Sequence, residues 1–190
     1  MVRGIFIFWI LLIVNSGNAQ EDYIQPGLLK ATATISPSMM LNRGVNNIYI
    51  SGFLEYHLDK KLSLRGETFV FVDAESRSGT NNLLIDQGMR TYFGVFYHFN
   101  KNNWDKYLGF QPGVALMKPI SNGTAIPEYQ VCPSIAFHVG TTYYVWKYFS
   151  FFADLAYVNS TLRGLQDGPA RSDELILSAG LGFQIQTKRK

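Results

Sequence analysis

Cysteine is nearly absent. Cys132 stands alone in 190 residues, so no internal disulfide can form, and in a strand the residue reads as a small packing group. Charge is scarce as well: Asp, Glu, Lys and Arg make up 16% of the chain, against about a quarter in an ordinary soluble domain. The formal net charge of +3 is small and its basic residues are scattered apart from the tail, which excludes a nucleic-acid surface. Long apolar helices are missing too. The leading run Ile5–Val14 falls well short of the roughly 20 residues that a spanning helix needs. The uncharged stretch from Tyr129 to Trp146 is longer, but Pro133, Gly140 and its β-branched and aromatic content argue for a strand. Nor does the chain carry Gly-x-Ser-x-Gly, a Walker loop, His-Glu-x-x-His or a paired-cysteine metal site. The expectation is therefore no enzyme, no cofactor and no metal. His57, His98 and His138 fall on three different segments and read as interior or rim side chains.

What is present begins with an address. Arg3 opens a positive start, Ile5–Val14 is apolar, and Asn15–Ala19 supplies small residues, with Gly17 and Ala19 at the cleavage positions. This three-part pattern predicts a secretory signal peptide over 1–19. The remaining 20–190 is long enough for one domain.

That domain alternates. Glu174–Gln186 places Leu175, Leu177, Ala179, Leu181, Phe183 and Ile185 on one side and mostly small or polar residues on the other. Period two is the signature of a strand with one greasy face. At this length the strand could cross a membrane when tilted, which takes roughly 9–11 residues. Lipid satisfies no backbone polar group, so such a strand must pair on both edges within a closed barrel. The same pattern recurs over Leu28–Ser36, Ile48–Leu58, Leu62–Asp73, Ile85–Phe99, Tyr107–Met117, Tyr129–Tyr144 and Tyr148–Val158, which predicts eight strands in all. Long polar connections are expected after the odd strands, including Pro37–Asn47, Ala74–Leu84 and Asn159–Asp173. Short ones are expected after the even strands. That rhythm matches bacterial outer-membrane barrels. Aromatics make up 15% of the chain. Tyr97, Phe99, Trp104 and Tyr107 flank one short turn, and Tyr143, Tyr144, Trp146, Tyr148 and Phe149 another, as a boundary girdle would.

On these features, and on the closing strand Leu175–Ile185, the chain resembles the small eight-stranded outer-membrane β-barrel proteins of the OmpX type and the transmembrane half of OmpA. The resemblance implies an all-β, eight-stranded antiparallel up-and-down transmembrane β-barrel after a cleaved signal peptide. It also implies residence in the outer membrane of a Gram-negative cell, contact with outer-membrane lipid, and insertion by the outer-membrane assembly machinery, which reads the last strand. This sequence departs from the pattern there, ending Gln184-Ile185-Gln186 and a basic tail instead of an aromatic residue.

If the apolar faces meet lipid, Glu55, His57, Arg65, Glu67, Arg90, His98, Gln111, His138 and Asp154 point inward. Buried charges must pair, so Glu55, Glu67 and Asp154 with Arg65 and Arg90 are expected to form a structural lumen network. A structural or surface-interaction role follows, with a surface ligand met by the outer loops. A narrow, porin-like channel or carrier for small solutes is the alternative. A lipid A-modifying enzyme is a third reading: the deacylases share a His-x-Ser pair, whereas here Phe99-Asn100 follows His98 and Val139-Gly140 follows His138.

Overall fold

The computed structural model describes residues 23–42, 44–76, 85–121, 124–125, 127–162 and 169–188. The leader expected over 1–19 lies outside them. Eight long strands carry the fold: β1 (Leu28–Met40), β2 (Val45–His57), β3 (Leu62–Ser76), β4 (Ile85–Lys101), β5 (Trp104–Ser121), β6 (Gln130–Tyr144), β7 (Phe149–Leu162) and β8 (Glu174–Gln186). Each pairs antiparallel with its sequence neighbours, and β8 closes the ring onto β1. Two-residue ribbons, Thr124–Ala125 on β5 and Ala170–Arg171 on β7, extend one end.

The alternation in sequence becomes an inverted distribution of polarity. Ile35, Val131 and Phe93 are 67%, 62% and 60% exposed, whereas Arg65 and Arg90 are fully buried. An apolar exterior around a charged interior is the opposite of a water-soluble core, and is the arrangement that hydrocarbon solvent favours. The strands run from 13 to 18 residues, longer than a tilted crossing needs. Among the described residues no helix is long and apolar enough to cross a membrane.

Six strands, β1 to β5 and β7, are longer than the sequence suggested, whereas β6 and β8 keep close to their expected bounds. Pro37–Asn47 was expected as a loop, but Pro37–Met40 belongs to β1 and Val45–Asn47 to β2. The strand pattern was masked by Pro37 and by the run of asparagines, which are residues typical of turns. Pro37 pairs with Ile48 on the β2 side. Toward β8, no backbone pair lies between Thr32↔Gly182 and Ser38↔Ile176, so the amide that proline lacks is not missed there. Side chains bridge this interval instead: Thr34 Oγ1 donates to the Ala179 carbonyl at 2.7 Å, and Ser36 and Ser178 hydroxyls meet at 2.6 Å. Likewise Ala74–Ser76 belongs to β3 and Asn159–Leu162 to β7. Of the remainder of those two expected loops, 77–84 and 163–168 lie outside the described residues, and Ala170–Arg171 pairs with the end of β7.

The opposite end carries the tight turns and both described chain ends. In the β2–β3 turn, Asp59 Oδ1 accepts from the Lys61 and Leu62 amides at 2.6 and 2.8 Å. These two donors hold its carboxyl below its ordinary range. Asn102, at φ 58°, opens the two-residue β4–β5 turn, an αL position that asparagine tolerates. Exposed rings collect here: Trp104 with Tyr143 at 4.9 Å, Tyr97 with Phe99 at 4.9 Å, and Trp146 with Tyr148 at 5.7 Å. Two of the residues expected in this girdle are not part of it. Tyr107 and Tyr144 are 1% exposed and point inward, because Asp105, Tyr107 and Tyr144 continue the lumen phase of longer strands.

The interior is layered. Ile24, Leu28 and Tyr144 pack at the short-turn mouth, with Tyr23 stacked on Tyr144 at 5.5 Å. Tyr49, Phe69, Tyr92, Ala136, Ala156, Val158 and Ile176 form a middle layer. Met40, Val45, Ile85, Met117, Cys132 and Leu162 fill the far end. Room for the large rings comes from glycines on the next strand. A Cβ at Gly109 would fall on the Phe96 ring, and one at Gly113 on the Tyr92 ring.

Candidate functional site in the barrel lumen

Polar chemistry concentrates in two groups inside the barrel. The first is near the short turns. Arg65 on β3 donates to Glu55 on β2 at 3.1 Å and to Asp154 on β7 at 3.5 Å. Its guanidinium lies 4.0 Å from the Phe53 ring centre and 3.9 Å from that of Phe96. Flat rings against a planar cation keep water away and favour the charge. Lys30 Nζ reaches Thr142 Oγ1 at 2.6 Å and lies 5.2 Å from the centre of the same Phe53 ring. Gln111 donates to the Arg65 carbonyl at 2.8 Å.

Two histidines join this group. His98 Nδ1 is 2.8 Å from Asp105, and its Nε2 is 2.8 Å from Ser63 Oγ and 3.3 Å from Glu55. His138 Nδ1 is 2.8 Å from Asp154, and its Nε2 is 3.9 Å from Glu67. The Ser63–His98–Asp105 contact order is that of a hydrolytic triad. Here, however, Ser63 is fully buried and its hydroxyl donates to Glu55 at 2.6 Å. An oxygen enclosed in this way and committed to a carboxylate is poorly placed to attack a substrate.

The second group lies further along the barrel. Arg90 on β4 meets Glu174 on β8 through two hydrogen bonds of 2.8 and 3.1 Å. Glu174 also accepts from Asn47 at 2.7 Å and from Tyr49 at 3.0 Å. One carboxylate thereby neutralises the guanidinium and ties β8 to both β2 and β4.

The residues expected in one network are thus divided. Glu55, Arg65 and Asp154 come together. Arg90 does not join them, and its partner is Glu174. Glu67 is buried, and its Oε2 has no hydrogen-bond partner; its ion-pair neighbour is His138. Sequence reading missed Lys30, Ser63, Asp105, Tyr107 and Glu174 as members. Asp105 could have been found by extending the alternation back from Tyr107 by two residues. The position of Glu174 was legible, but its partner was not, since 84 residues separate it from Arg90.

The struts share a geometry. In the closed order, β3 faces β7 and β4 faces β8 across the full width of the ring. Arg65–Asp154 and Arg90–Glu174 therefore brace two diameters. Tyr92 on β4 and Ser134 on β6 add a third crossing at 2.8 Å.

No family model matches the sequence, and no curated protein matches it. Solved structures do match in shape. The outer membrane protein OprG of Pseudomonas aeruginosa superposes with a TM-score of 0.62 at 12% identity, covering 90% of this chain and 100% of that one. The N-terminal β-barrel domain of OprF from Pseudomonas aeruginosa gives 0.55 at 16%, covering 85% and 100%. Neisserial surface protein A gives 0.55 at 12%, covering 84% and 96%. At such identities the likeness is one of fold. The chain is an eight-stranded antiparallel closed β-barrel with the fold of the small bacterial outer-membrane barrels.

Proposed function

We propose that the protein is a sealed barrel of the bacterial outer membrane, with a structural or surface-interaction role exercised through its outer connections. The single observation that carries this reading is the cross-braced lumen. Arg65–Asp154 and Arg90–Glu174 tie opposite walls together, and Tyr49, Tyr92, Tyr107 and Phe96 fill the space between. Eight strands enclose an interior just wide enough for side chains, so conduction would require these struts to part. The lumen ion pairs are structural in this reading.

The route follows from the leader. Export with cleavage after Ala19 delivers the chain to the assembly machinery, which reads β8 and inserts the barrel with its short turns on the inner side. Contact with partners falls to the opposite end. Ail of Yersinia pestis, named for attachment and invasion, shares the fold with a TM-score of 0.53 at 16% identity, which supports a surface role by analogy.

Cell fractionation with heat-modifiable gel migration, followed by planar-bilayer recording, tests the proposal. We expect a membrane-bound band that shifts only on boiling, and no conductance steps. A freely soluble protein would sink the membrane assignment, and regular single-channel steps would replace the sealed reading with a channel. Deleting residues 77–84 and 163–168 in turn should change cell adhesion, and unchanged adhesion would count against the surface role.

A further inference from the structure

We propose that the short-turn end of the lumen holds a site for a first-row divalent cation, Zn2+ by its donor chemistry, on Glu55, His57 and His98. The inference needs the closed barrel but not the surface role. Sequence reading expected no metal; the surroundings of His57 argue otherwise.

Glu55 and His57 are alternate residues at the end of β2, both turned inward, and His98 reaches them from β4 across Ser63. One ligand atom from each lies within 4.8 Å of the others. The His57 and His98 rings are 4.6 Å apart between centres. A tetrahedral zinc with bonds of about 2.1 Å sets its ligand atoms roughly 3.4 Å apart, so the group must contract slightly around the ion. His57 is free to make that movement. It is fully buried, and neither ring nitrogen has a hydrogen-bond partner. Buried polar groups are rarely left in that state, and a cation would give one of these nitrogens its partner.

The neighbouring groups are arranged as a metal's supporting shell. Asp105 holds His98 by Nδ1 at 2.8 Å and leaves Nε2 facing Glu55. A carboxylate behind a ligating imidazole fixes its orientation and raises its basicity. Glu55 divides its two oxygens. Arg65 takes Oε2 at 3.1 Å, while Ser63 donates to Oε1 at 2.6 Å, on the side of His98. The cation would take Oε1 and leave the Arg65 pair intact.

Charge favours the same conclusion. Four buried carboxyl groups, Glu55, Glu67, Asp105 and Asp154, outnumber the basic side chains Lys30 and Arg65 beside them in this part of the lumen. Two imidazoles and one carboxylate select zinc-like ions over the oxygen-bound Mg2+ and Ca2+.

The test uses the full barrel refolded in detergent micelles. Zn2+ is titrated by calorimetry, and Co2+ by visible absorption as a spectroscopic substitute. We expect one Zn2+ per barrel, at least tenfold weaker binding in His57→Ala, and wild-type binding in Cys132→Ala, at the far end of the lumen. Asp105→Asn, which leaves all three ligands in place, should weaken binding by roughly 10–100-fold. Heat-modifiable migration checks that each variant is folded. A folded wild-type barrel that takes up neither ion would overturn the site, as would His57→Ala binding as tightly as wild type.

Discussion

Arg90 and Glu174 stand on opposite walls of the barrel and meet in the middle through two hydrogen bonds of 2.8 and 3.1 Å. Neither side chain is exposed. Removing one partner leaves a buried charge without compensation, which typically costs 3–5 kcal/mol. We expect Glu174→Ala to lower the barrel's urea stability by about that amount. Arg90→Met combined with Glu174→Leu should recover most of the loss. A double variant no more stable than Glu174→Ala would mean that the hydrogen bonds from Asn47 and Tyr49, not the ion pair, set the stability.

The same logic applies to Arg65, with a sharper expectation. Its cation is shared between Glu55 and Asp154 and lies against Phe53 and Phe96. Arg65→Lys keeps the charge but loses the planar fork and the stacking. It should destabilise nearly as much as Arg65→Met in equilibrium unfolding. Full rescue by lysine would show that charge alone matters at this position.

The outward face makes a prediction that separates a membrane barrel from a soluble one. Phe93 sits near the centre of β4 and is 60% exposed. In lipid, an arginine at the bilayer midplane costs about 2–4 kcal/mol. Phe93→Arg should therefore weaken folding into vesicles by about that much, whereas a soluble barrel would tolerate or prefer it. Refolding yield and urea midpoints in lipid vesicles decide the matter.

Gly109 lies under the Phe96 ring, where an added methyl would collide with aromatic carbons. Gly109→Ala must displace Phe96, and with it one wall of the Arg65 sandwich. Overpacking of this kind costs typically 1–3 kcal/mol. Adding Phe96→Leu to Gly109→Ala should relieve the collision, read as a higher urea midpoint than Gly109→Ala alone.

Asp59 gives a pH dependence. Its carboxyl is held below the ordinary range by the Lys61 and Leu62 amides. A depressed carboxyl contributes stability above its unfolded pKa, and that contribution is lost as the pH falls through the folded value. Asp59→Ala should speed amide exchange in the β2–β3 turn near neutral pH. The difference from wild type should shrink as the pH drops below about 4. A difference that stays constant with pH would mean the carboxylate's charge plays no part.

Much of this architecture was legible because lipid and lumen impose opposite demands on alternate residues. The bounds of β8, Glu174–Gln186, and the inward set from Glu55 to Asp154 follow from period two alone. Strand ends were harder to place. Pro37, Asn46 and Asn47 carry turn chemistry but sit in ladders, because a closed sheet enforces pairing where local preference would end it. Pairing across the lumen was not legible. Arg90 chooses Glu174 because β4 faces β8, a relationship created only on closure. That His57 points inward was legible, but its meeting with His98 beside Glu55 was not, since the two histidines lie on strands that are not neighbours.

A cylinder made from one chain has a single join between its first and last segments. Here that join is β1 against β8, where Thr34 and Ser36 substitute side-chain contacts for a run of missing backbone pairs. Every other neighbouring pair of strands is linked by a connection of limited length, whereas this one brings together Leu28 and Gln186, 158 residues apart. A sheet that grows strand by strand must complete its circle at this line last, and under heat or lateral tension it should part there first.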